Sequence, residues 1–349
     1  MSPTISCRGV WKVFGPHAER IVGSTDADLP RAELEARTGC VAAVRDVSFD
    51  VPEGAVFVVM GLSGSGKSTL VRCISRLIEP TAGSVLLDGE DIERLSPDRL
   101  RELRRDRVSM VFQHFGLLPH RRVIDNVAFG LEVQGKSKAD RHRRASDMLD
   151  LVGLSGLGES YPDELSGGMQ QRVGLARALA IDPEILLFDE PFSALDPLIR
   201  RDMQDEVARL QRELQKTVVF ITHDLQEALK LGDTIAIMRD GRFVQVDTPE
   251  AVVARPVDDY VKDFVRDVPR AHVLTAGGIM TPARNGRPTA GAVADTTPVS
   301  ELLPLLVGSD QPLTVLDENG QVCGTVDRLA ALRALADEPP PARAGRAGE

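Results

Sequence analysis

Short, continuous apolar runs alternate with polar, helix-like stretches along most of the chain. The runs are AVFVVM (55–60), EILLFD (184–189), TVVFIT (217–222) and TIAIM (234–238). Strands that are apolar on both faces are typical of a parallel sheet covered by helices. The polar stretch 97–105 has Ser96 as a helix N-cap and Pro97 at its first position, and 136–150 is a second charged helix. The pattern predicts an α/β fold with an inserted helical segment at about 115–180.

The regions flanking this pattern have a different character. Residues 16–43 are polar and weakly periodic, and we interpret them as an excursion between two early strands. The segment 266–292 is rich in Gly, Pro, Ala and Arg, which predicts a linker or a degenerate unit. Regular order returns at 293–336 as strand-helix-strand-strand-helix, with a hairpin turn at 318–320. Residues 337–349 are expected to form a disordered tail.

Composition narrows the class of protein. The chain has 349 residues, 42% of them hydrophobic and 27% charged, and its net charge is −10. So acidic a balance argues against nonspecific nucleic-acid binding, and we expect no nucleic-acid partner. The four cysteines, without CxxC spacing, suggest a reducing compartment and neither a metal site nor a disulfide framework. The N-terminus lacks the apolar core of a signal peptide, and no apolar run approaches the roughly 18 residues that span a membrane. We therefore expect any membrane role to come through a partner.

A glycine-rich loop follows the first apolar run and opens a helix. The stretch GLSGSGKST matches the phosphate-binding pattern GxxxxGK[ST] in its required strand-loop-helix context. Its backbone N–H groups can surround phosphate oxygens, Lys67 can reach the β- and γ-phosphates, and Ser68 can offer a hydroxyl to Mg²⁺. The alternative is a glycine-rich turn that binds nothing. The predicted nucleotide-binding residues here are Gly61, Leu62, Ser63, Gly64, Ser65, Gly66, Lys67, Ser68 and Thr69.

Polar side chains end three other apolar runs. ILLFDE ends in Asp189, which is placed to hold Mg²⁺, and Glu190, which is placed to polarise the attacking water. Gln113 follows the run 108–112 and could bind Mg²⁺ or the nucleophilic water. His223 follows TVVFIT and could bond to the γ-phosphate and orient Glu190. Taken singly, these residues could instead be a helix cap, a surface glutamine and a solvated or core histidine.

A second glycine pair occurs in LSGGMQQR, at the start of a predicted helix. Ser166 is a candidate N-cap, and Gly167 and Gly168 allow close backbone approach. A helix N-terminus is a ready phosphate site, yet this one lies within the helical insertion, away from the first loop. It could therefore serve a nucleotide held by another copy of the chain. The alternative is an ordinary capped helix.

These motifs, in this order and at this spacing, resemble the nucleotide-binding domains of ABC transporters. They are Walker A, the Q-loop Gln113, the LSGGMQQR signature, Walker B, the D-loop SALD ending at Asp196, and the H-loop His223. The resemblance covers roughly residues 4–265 and implies a P-loop NTPase fold for an ATP-binding domain over 1–265. It further implies ATP and Mg²⁺ as cofactors and a head-to-tail homodimer. Each ATP then lies between Walker A of one subunit and the signature, with Asp196, of the other.

The resemblance also assigns an adenine-stacking aromatic. Phe14 in VWKVFG matches the family's position, whereas Trp11 matches it less well, and both could instead be core residues of the first strand. After the Q-loop the chain reads LLPHRRV where family members more often have PHMTV. Arg121 and Arg122 lie near the surface expected to meet the membrane subunit, so the coupling contacts are expected to differ.

A narrower resemblance is to the ATP-binding subunits of glycine betaine/proline (quaternary-amine) importers. Residues 293–336 resemble a small α+β CBS unit, which these subunits often carry, and GGIMTP (277–282) resembles the remnant of another. The resemblance implies an ATP-hydrolysing subunit, peripheral at the cytoplasmic face of the inner membrane. Its implied partners are integral membrane permease subunits and, indirectly, an extracytoplasmic solute-binding protein; the cargo would be glycine betaine, proline or choline.

Other functions stay open at this point. A closely related importer could carry an amino acid or a polyamine instead, because the ATPase does not touch the cargo. A soluble ABC ATPase acting on DNA or ribosomes would usually carry a long coiled coil or two cassettes, and neither pattern is present. A P-loop kinase for a small molecule would leave LSGGMQQR and His223 unexplained.

Overall fold

The computed structural model describes residues 4–113, 116–282 and 289–336. Packing divides the chain into two compact units, with the boundary between Val244 and Gln245. This boundary falls before residue 265, the end of the ATP-binding domain expected from the sequence. The predicted division into an ATP-binding domain, a linker and a C-terminal unit stays a prediction. None of the helices within the described ranges is both long enough and apolar enough to cross a membrane.

The elements are numbered in chain order. The strands are β1 Ile5–Phe14, β2 Val41–Val51, β3 Val56–Met60, β4 Ala82–Leu87, β5 Glu90–Asp91, β6 Val108–Val111, β7 Ile185–Asp189, β8 Thr217–Thr222, β9 Thr234–Arg239, β10 Arg242–Asp247, β11 Ala292–Ala294, β12 Leu313–Leu316 and β13 Val322–Val326. The helices are α1 Arg31–Thr38, α2 Lys67–Ile74, α3 Pro97–Asp106, α4 Val123–Val127, α5 Phe129–Val133, α6 Lys138–Leu151, α7 Gly167–Ala180, α8 Pro197–Leu214, α9 Leu225–Leu231, α10 Pro249–Ala254, α11 Asp259–Val265, α12 Arg270–Val273, α13 Ala276–Ile279, α14 Val299–Val307 and α15 Arg328–Leu335.

The central sheet has the strand order β10-β9-β3-β8-β7-β6. Strands β6, β7, β8, β3 and β9 pair in parallel, which confirms the parallel sheet predicted from the apolar runs. Every residue of β3, β7 and β8 is buried, as expected for strands covered on both faces. Because parallel strands end at the same edge, the residues that follow β3, β6, β7 and β8 meet there, and these residues carry the candidate chemistry.

A second sheet, of order β2-β1-β4-β5, lies in the same unit and is antiparallel. The sequence predicts only its two early strands. Phe49 of this sheet stacks on Phe57 of the central sheet with ring centroids 4.5 Å apart, within one apolar core. This core holds the two sheets together beneath the candidate site.

The predicted excursion joins β1 to β2 and has structure of its own. It contains two short 3-10 turns, Ala18–Arg20 and Thr25–Asp28, followed by α1. Helix α1 ends at Thr38 and is capped by Gly39, whose φ of 69° is a left-handed conformation that suits glycine. The weak periodicity of the segment reflects its small share of buried positions: Leu34 is the buried residue of α1.

Helices α4 to α7 occupy the segment in which the sequence predicts a helical insertion, and residues 116–180 contain no strand. Ser137 accepts from the Asp140 N–H and caps α6, so the charged helix predicted over 136–150 is present as Lys138–Leu151. Asn126, fully buried, donates its amide to the Leu118 and Arg122 carbonyls and so holds the loop that precedes α4.

The second unit contains a three-stranded sheet of order β11-β12-β13. The predicted hairpin is present: β12 and β13 pair antiparallel, and Gly320 takes a φ of 74° in the turn. Part of the predicted linker is also ordered, because Thr281 pairs with Thr325 and Thr275 with Pro298. The CBS resemblance stays a prediction. Residues 283–288 and the predicted tail 337–349 lie outside the described residues.

Candidate nucleotide-binding and hydrolysis site

The loop between β3 and α2 follows a path that only glycine can take at two positions. Gly61 has a φ of 155°, and a Cβ there would lie 2.2 Å from the Met238 carbonyl oxygen. Gly66 has a φ of 110°, and a Cβ there would lie 2.0 Å from the Ala43 carbonyl oxygen. The loop is therefore pressed against the backbone of β9 and β2, and its N–H groups curl at the start of a helix, as a phosphate cradle requires.

Lys67, the first residue of α2, is held inside this loop. Its side chain is 3% exposed, and Nζ donates to the carbonyl oxygens of Gly61 at 2.9 Å and Leu62 at 3.1 Å. The same Nζ lies 3.2 Å from Oε1 of Glu190. Ser65 Oγ is buried and has no hydrogen-bond partner among the described residues. Buried polar atoms normally have hydrogen-bond partners, so the Ser65 hydroxyl suits a polar ligand bound in the loop.

Glu190 sits in a strained conformation at the end of β7. Its φ of 47° is uncommon for a residue other than glycine. The turn is fixed by the Ser193 hydroxyl, which donates to the Glu190 carbonyl at 3.0 Å, and by the Phe192 ring, which packs on Phe220 at 5.6 Å. The carboxylate consequently points at two of the predicted residues: besides Lys67, it contacts Nδ1 of His223, 3.0 Å from Oε2.

The turn that carries His223 is braced by a buried carboxylate. Oε2 of Glu227 accepts from the Thr222 hydroxyl at 2.5 Å, and Oε1 accepts from Gln204 at 3.3 Å. Thr222 in turn accepts from the backbone N–H of Asp224 at 2.9 Å. Burial raises the pKa of Glu227 above its ordinary value. The residues on both sides of His223 are therefore fixed, while His223 itself stays exposed.

Asp189 has the properties expected of a cation ligand. It is 2% exposed, and Oδ2 accepts from Arg72 Nη2 at 3.1 Å. Its other oxygen, Oδ1, is buried and has no hydrogen-bond partner among the described residues. The described residues contain no cluster of three or more His, Cys, Asp or Glu side chains that could hold a metal by themselves. Mg²⁺ in phosphate sites is typically held by one or two protein oxygens together with the phosphates, and Asp189 with Ser68 fits that pattern.

A cleft of about 370 Å³ lies at the phosphate loop. Its lining includes predicted residues from this loop, the Q-loop, Walker B and the first strand, but the predicted residues Gly61, Leu62, Ser65, Asp189 and His223 do not line it. Phe14 is 43% exposed at this cleft, whereas Trp11 is buried in the cluster around Leu34. Phe14 is thus the aromatic that can meet a base. The lining consists of Phe14, Arg31, Val41, Ala43, Ser63, Gly64, Gly66, Lys67, Ser68, Thr69, Gln113 and Glu190.

The signature residues lie elsewhere in the unit. Within the described part of the chain, the lining of the cleft includes none of Ser166, Gly167, Gly168 and Asp196. Ser166 Oγ accepts from the Met169 N–H at 3.3 Å and caps α7, while Oδ1 of Asp196 caps α8. Ser166 and Gly167 are exposed, whereas Gly168 is buried. The capped helix predicted for Ser166 is therefore present, and the described residues at its N-terminus do not line the cleft at the phosphate loop.

Comparison with known proteins identifies the family. The family model described as "ABC transporter" matches residues 44–193. The ATP-binding protein TmoW of a trimethylamine N-oxide transport system from Ruegeria pomeroyi is 51% identical over 340 residues, which cover 96% of this chain and 97% of that protein. This chain belongs to the ATP-binding subunits of ABC transporters.

Other relatives extend the comparison of this ABC subunit. ProV, the ATP-binding protein of an Escherichia coli glycine betaine/proline betaine transport system, is 51% identical and covers 82% of this chain and 72% of its own length. The dimeric structure of MJ0796, a bacterial ABC transporter cassette, has 32% identity and a TM-score of 0.59, over 70% of this chain and 98% of that one. A second structure of that cassette is a post-hydrolysis state bound to ADP and Pi. The ABC subunit is accordingly a transport ATPase.

Two residues of the site, Arg72 and Arg31, were not predicted from the motifs. Arg72, which pairs with Asp189, lies one turn beyond the phosphate loop motif. Arg31 comes from the weakly periodic excursion and lines the cleft. Arg121 pairs with Glu132 at 2.7 Å within the helical segment, and its expected place near the membrane subunit stays a prediction. For Arg31 the sequence offered no signal, because residues 16–43 were interpreted as an excursion with no predicted helix and the start of α1 is seen only in the structure.

Proposed function

We propose that this chain is the ATP-hydrolysing subunit of an importer for a methylated amine of the compatible-solute class. The observation that carries the proposal is the identity of about half over nearly the whole chain to a subunit named for trimethylamine N-oxide transport. Relatives named for glycine betaine transport are 51–53% identical over shorter spans. Glycine betaine, proline betaine and trimethylamine N-oxide share a methylated nitrogen, and they differ from amino acids and polyamines in this respect.

The extent of the similarity supports the N-oxide among these cargoes. The two relatives named for trimethylamine N-oxide transport align over 96% and 93% of this chain, whereas ProV and OpuAA from Bacillus subtilis align over 82% and 81% of it. Trimethylamine N-oxide is our first candidate, and glycine betaine is the second.

Within the cleft, each predicted residue has a proposed role that agrees with its position. Phe14 stacks on the adenine, and the loop 61–69 holds the phosphates. Lys67 offers its charge to the β- and γ-phosphates, while Gln113 and Glu190 orient the attacking water. His223 holds the Glu190 carboxylate in place through the 3.0 Å contact. Mg²⁺, when bound by Asp189 and Ser68, would neutralise charge on the phosphates.

The signature loop is proposed to complete the site of a second copy. Ser166, Gly167 and Gly168 stand at the start of the capped helix α7 and do not line the chain's own cleft, so we assign this helix N-terminus to the nucleotide of another subunit. The related cassette MJ0796 is described as a dimer. We propose a head-to-tail homodimer with two ATP molecules, docked on permease subunits at the cytoplasmic face of the membrane and served by an extracytoplasmic solute-binding protein.

The role of Glu190 can be tested by Glu190→Gln. The amide keeps the shape but loses the charge that polarises water, so steady-state ATP hydrolysis should fall at least about 100-fold while ATP binding persists. The assay is phosphate release by the purified chain, paired with equilibrium ATP binding. Hydrolysis near the wild-type rate would refute the assignment, and Glu184→Gln, which changes a half-exposed carboxylate remote from the cleft, is the matched control.

The cargo can be tested in the reconstituted complex. ATP hydrolysis in proteoliposomes should rise when trimethylamine N-oxide or glycine betaine is supplied with the binding protein, and the larger response identifies the cargo. Arginine and spermidine are the controls, because the closest rival function is amino-acid or polyamine import. Stimulation by either control and not by the methylated amines would overturn the proposed cargo class while leaving the ATPase assignment intact.

A further inference from the structure

The excursion between β1 and β2 is a packed element whose position is fixed. Leu34 of α1 is 0% exposed and lies in an apolar cluster with Trp11, Ile21, Ala27 and Cys40, among others. Thr38 donates its hydroxyl to the Leu34 carbonyl at 2.7 Å, which closes the last turn of the helix. This helix therefore has a defined place beside the phosphate loop.

Two arginines anchor the chain just before α1. The buried guanidinium of Arg45 donates to the carbonyl oxygens of Ala27 at 3.3 Å and Leu29 at 2.8 Å. Arg242 bonds to the Asp28 carboxylate, and its guanidinium lies 5.9 Å from the centroid of the Trp11 ring. Charged donors on backbone carbonyls are among the stronger hydrogen bonds, so the segment that leads into α1 is held from two sides.

With the preceding segment held in this way, Arg31 lies at the nucleotide cleft. Arg31 is the first residue of α1, and its Nη1 donates to the Gly64 carbonyl in the middle of the phosphate loop at 3.1 Å. It lines the same cleft as Phe14 and Lys67. A guanidinium carries five N–H donors in a planar fork, so one bond to Gly64 leaves donors that can meet phosphate oxygens.

The charges of the cleft favour such a contact. Its lining holds three ionisable groups of fixed sign: Arg31, Lys67 and Glu190. Glu190 lies 3.2 Å from Lys67 and offsets much of that lysine's charge. Arg31 is the remaining cation, beside a loop whose ligand carries several negative charges. We propose that Arg31 is a further nucleotide-binding residue, whose guanidinium contacts the polyphosphate chain of ATP and ADP.

The test compares nucleotide affinities of Arg31→Gln, Arg31→Lys and the wild-type full chain. Glutamine keeps a polar amide but has no charge, whereas lysine keeps the charge. We expect Arg31→Gln to bind ATP and ADP about fivefold more weakly, equivalent to roughly 1 kcal/mol, because the site is solvent-accessible. AMP affinity should be unchanged, and Arg31→Lys should retain most of the ATP affinity. The matched control is Arg20→Gln, an exposed arginine of the same excursion.

The salt dependence of ATP affinity distinguishes a direct contact between Arg31 and the phosphates from a role in which Arg31 only holds the loop through Gly64. Loss of one cation from the phosphate site should make ATP affinity less sensitive to salt between 50 and 500 mM, roughly as screening of one charge pair predicts. An unchanged salt slope, an equal loss of AMP affinity, or an equal effect of Arg20→Gln would each overturn the proposal. Because nucleotide binding is measured on the isolated chain, failure here is distinct from failure of the proposed cargo.

Discussion

Substitution of Gly168 by alanine tests how the signature helix is packed within one chain. A Cβ at this position would lie 2.3 Å from Cγ2 of Ile199, where ordinary contact begins at 3.4 Å. The new Cβ would therefore be about 1.1 Å too close to Ile199. The atom that it meets belongs to a half-buried, β-branched side chain and is not the flexible end of a long one. Helix α7 and helix α8 must therefore separate, or Ile199 must leave its rotamer.

The expected cost follows from overpacking. Forcing an extra methyl into a packed contact typically costs about 1–3 kcal/mol, and the better helix propensity of alanine returns at most about 1 kcal/mol. We expect Gly168→Ala to lower the free energy of unfolding by about 1–2 kcal/mol. Gly167→Ala, at the exposed neighbouring position, should leave the stability unchanged or slightly raised.

Urea unfolding of the nucleotide-free chain measures both variants. In the Ile199→Ala background, the cost of Gly168→Ala should shrink, because the methyl that blocks the new Cβ has been removed. An equal loss in both backgrounds, or no loss at all, would refute the packing argument. The result also decides how the trans site should be tested: Gly167→Ala, at an exposed position that carries no cap, can cut hydrolysis while sparing the fold and monomer ATP binding, whereas Gly168→Ala cannot.

Three further predictions concern the braces of the site. Gly66→Ala should lower the free energy of unfolding by more than about 2 kcal/mol in urea unfolding, because its Cβ would lie 2.0 Å from a carbonyl oxygen. The control is Gly89→Ala, at φ 78° in open space, which should cost only the backbone strain of a positive φ. Equal costs for the two variants would contradict this prediction. Glu227 has a pKa raised above 4.5 by burial, so its stabilising contribution is full below about pH 4.5 and is lost as pH rises through the folded value. Glu227→Gln should therefore gain stability relative to wild type between pH 4 and 7, and parallel pH profiles would argue against it. Arg45→Met should strip donors from two carbonyls and speed proteolysis in the excursion, whereas unchanged cleavage would show that the anchor is dispensable.

The central sheet could be predicted because burial on both faces leaves a direct trace in sequence. TVVFIT forms β8 over the predicted residues, and the runs at 56–60 and 185–189 differ from the prediction by one residue at the start. The antiparallel sheet leaves a weaker trace. In β2 the buried positions alternate imperfectly, and β1 contains register shifts that break any simple period.

Site residues could be predicted where a motif specifies both the residue type and its place at a strand end or in a loop. They could not be predicted where a contact depends on how a segment distant in sequence packs nearby. Lys67 and Glu190 belong to the first group, because strand ends and loop pattern place them. The second group contains two contacts: the packing of Gly168 against a neighbouring side chain, and the position of Arg31 in the cleft. Both depend on distant residues, Ile199 and Gly64, whose approach is set by tertiary packing.

The excursion starts and ends on paired residues, since Phe14 lies opposite Val41 in the β1–β2 ladder. Residues 15–40 thus replace what could be a tight hairpin, and lengthening a loop from about 4 to about 26 residues costs only roughly 2 kcal/mol of closure entropy. Burial of Leu34 and Ile21 alone can offset that amount, at about 1.5–3 kcal/mol each. A long β1–β2 connection with a small core of its own can therefore place an additional cation, Arg31, at the nucleotide cleft without any change in the phosphate-loop motif.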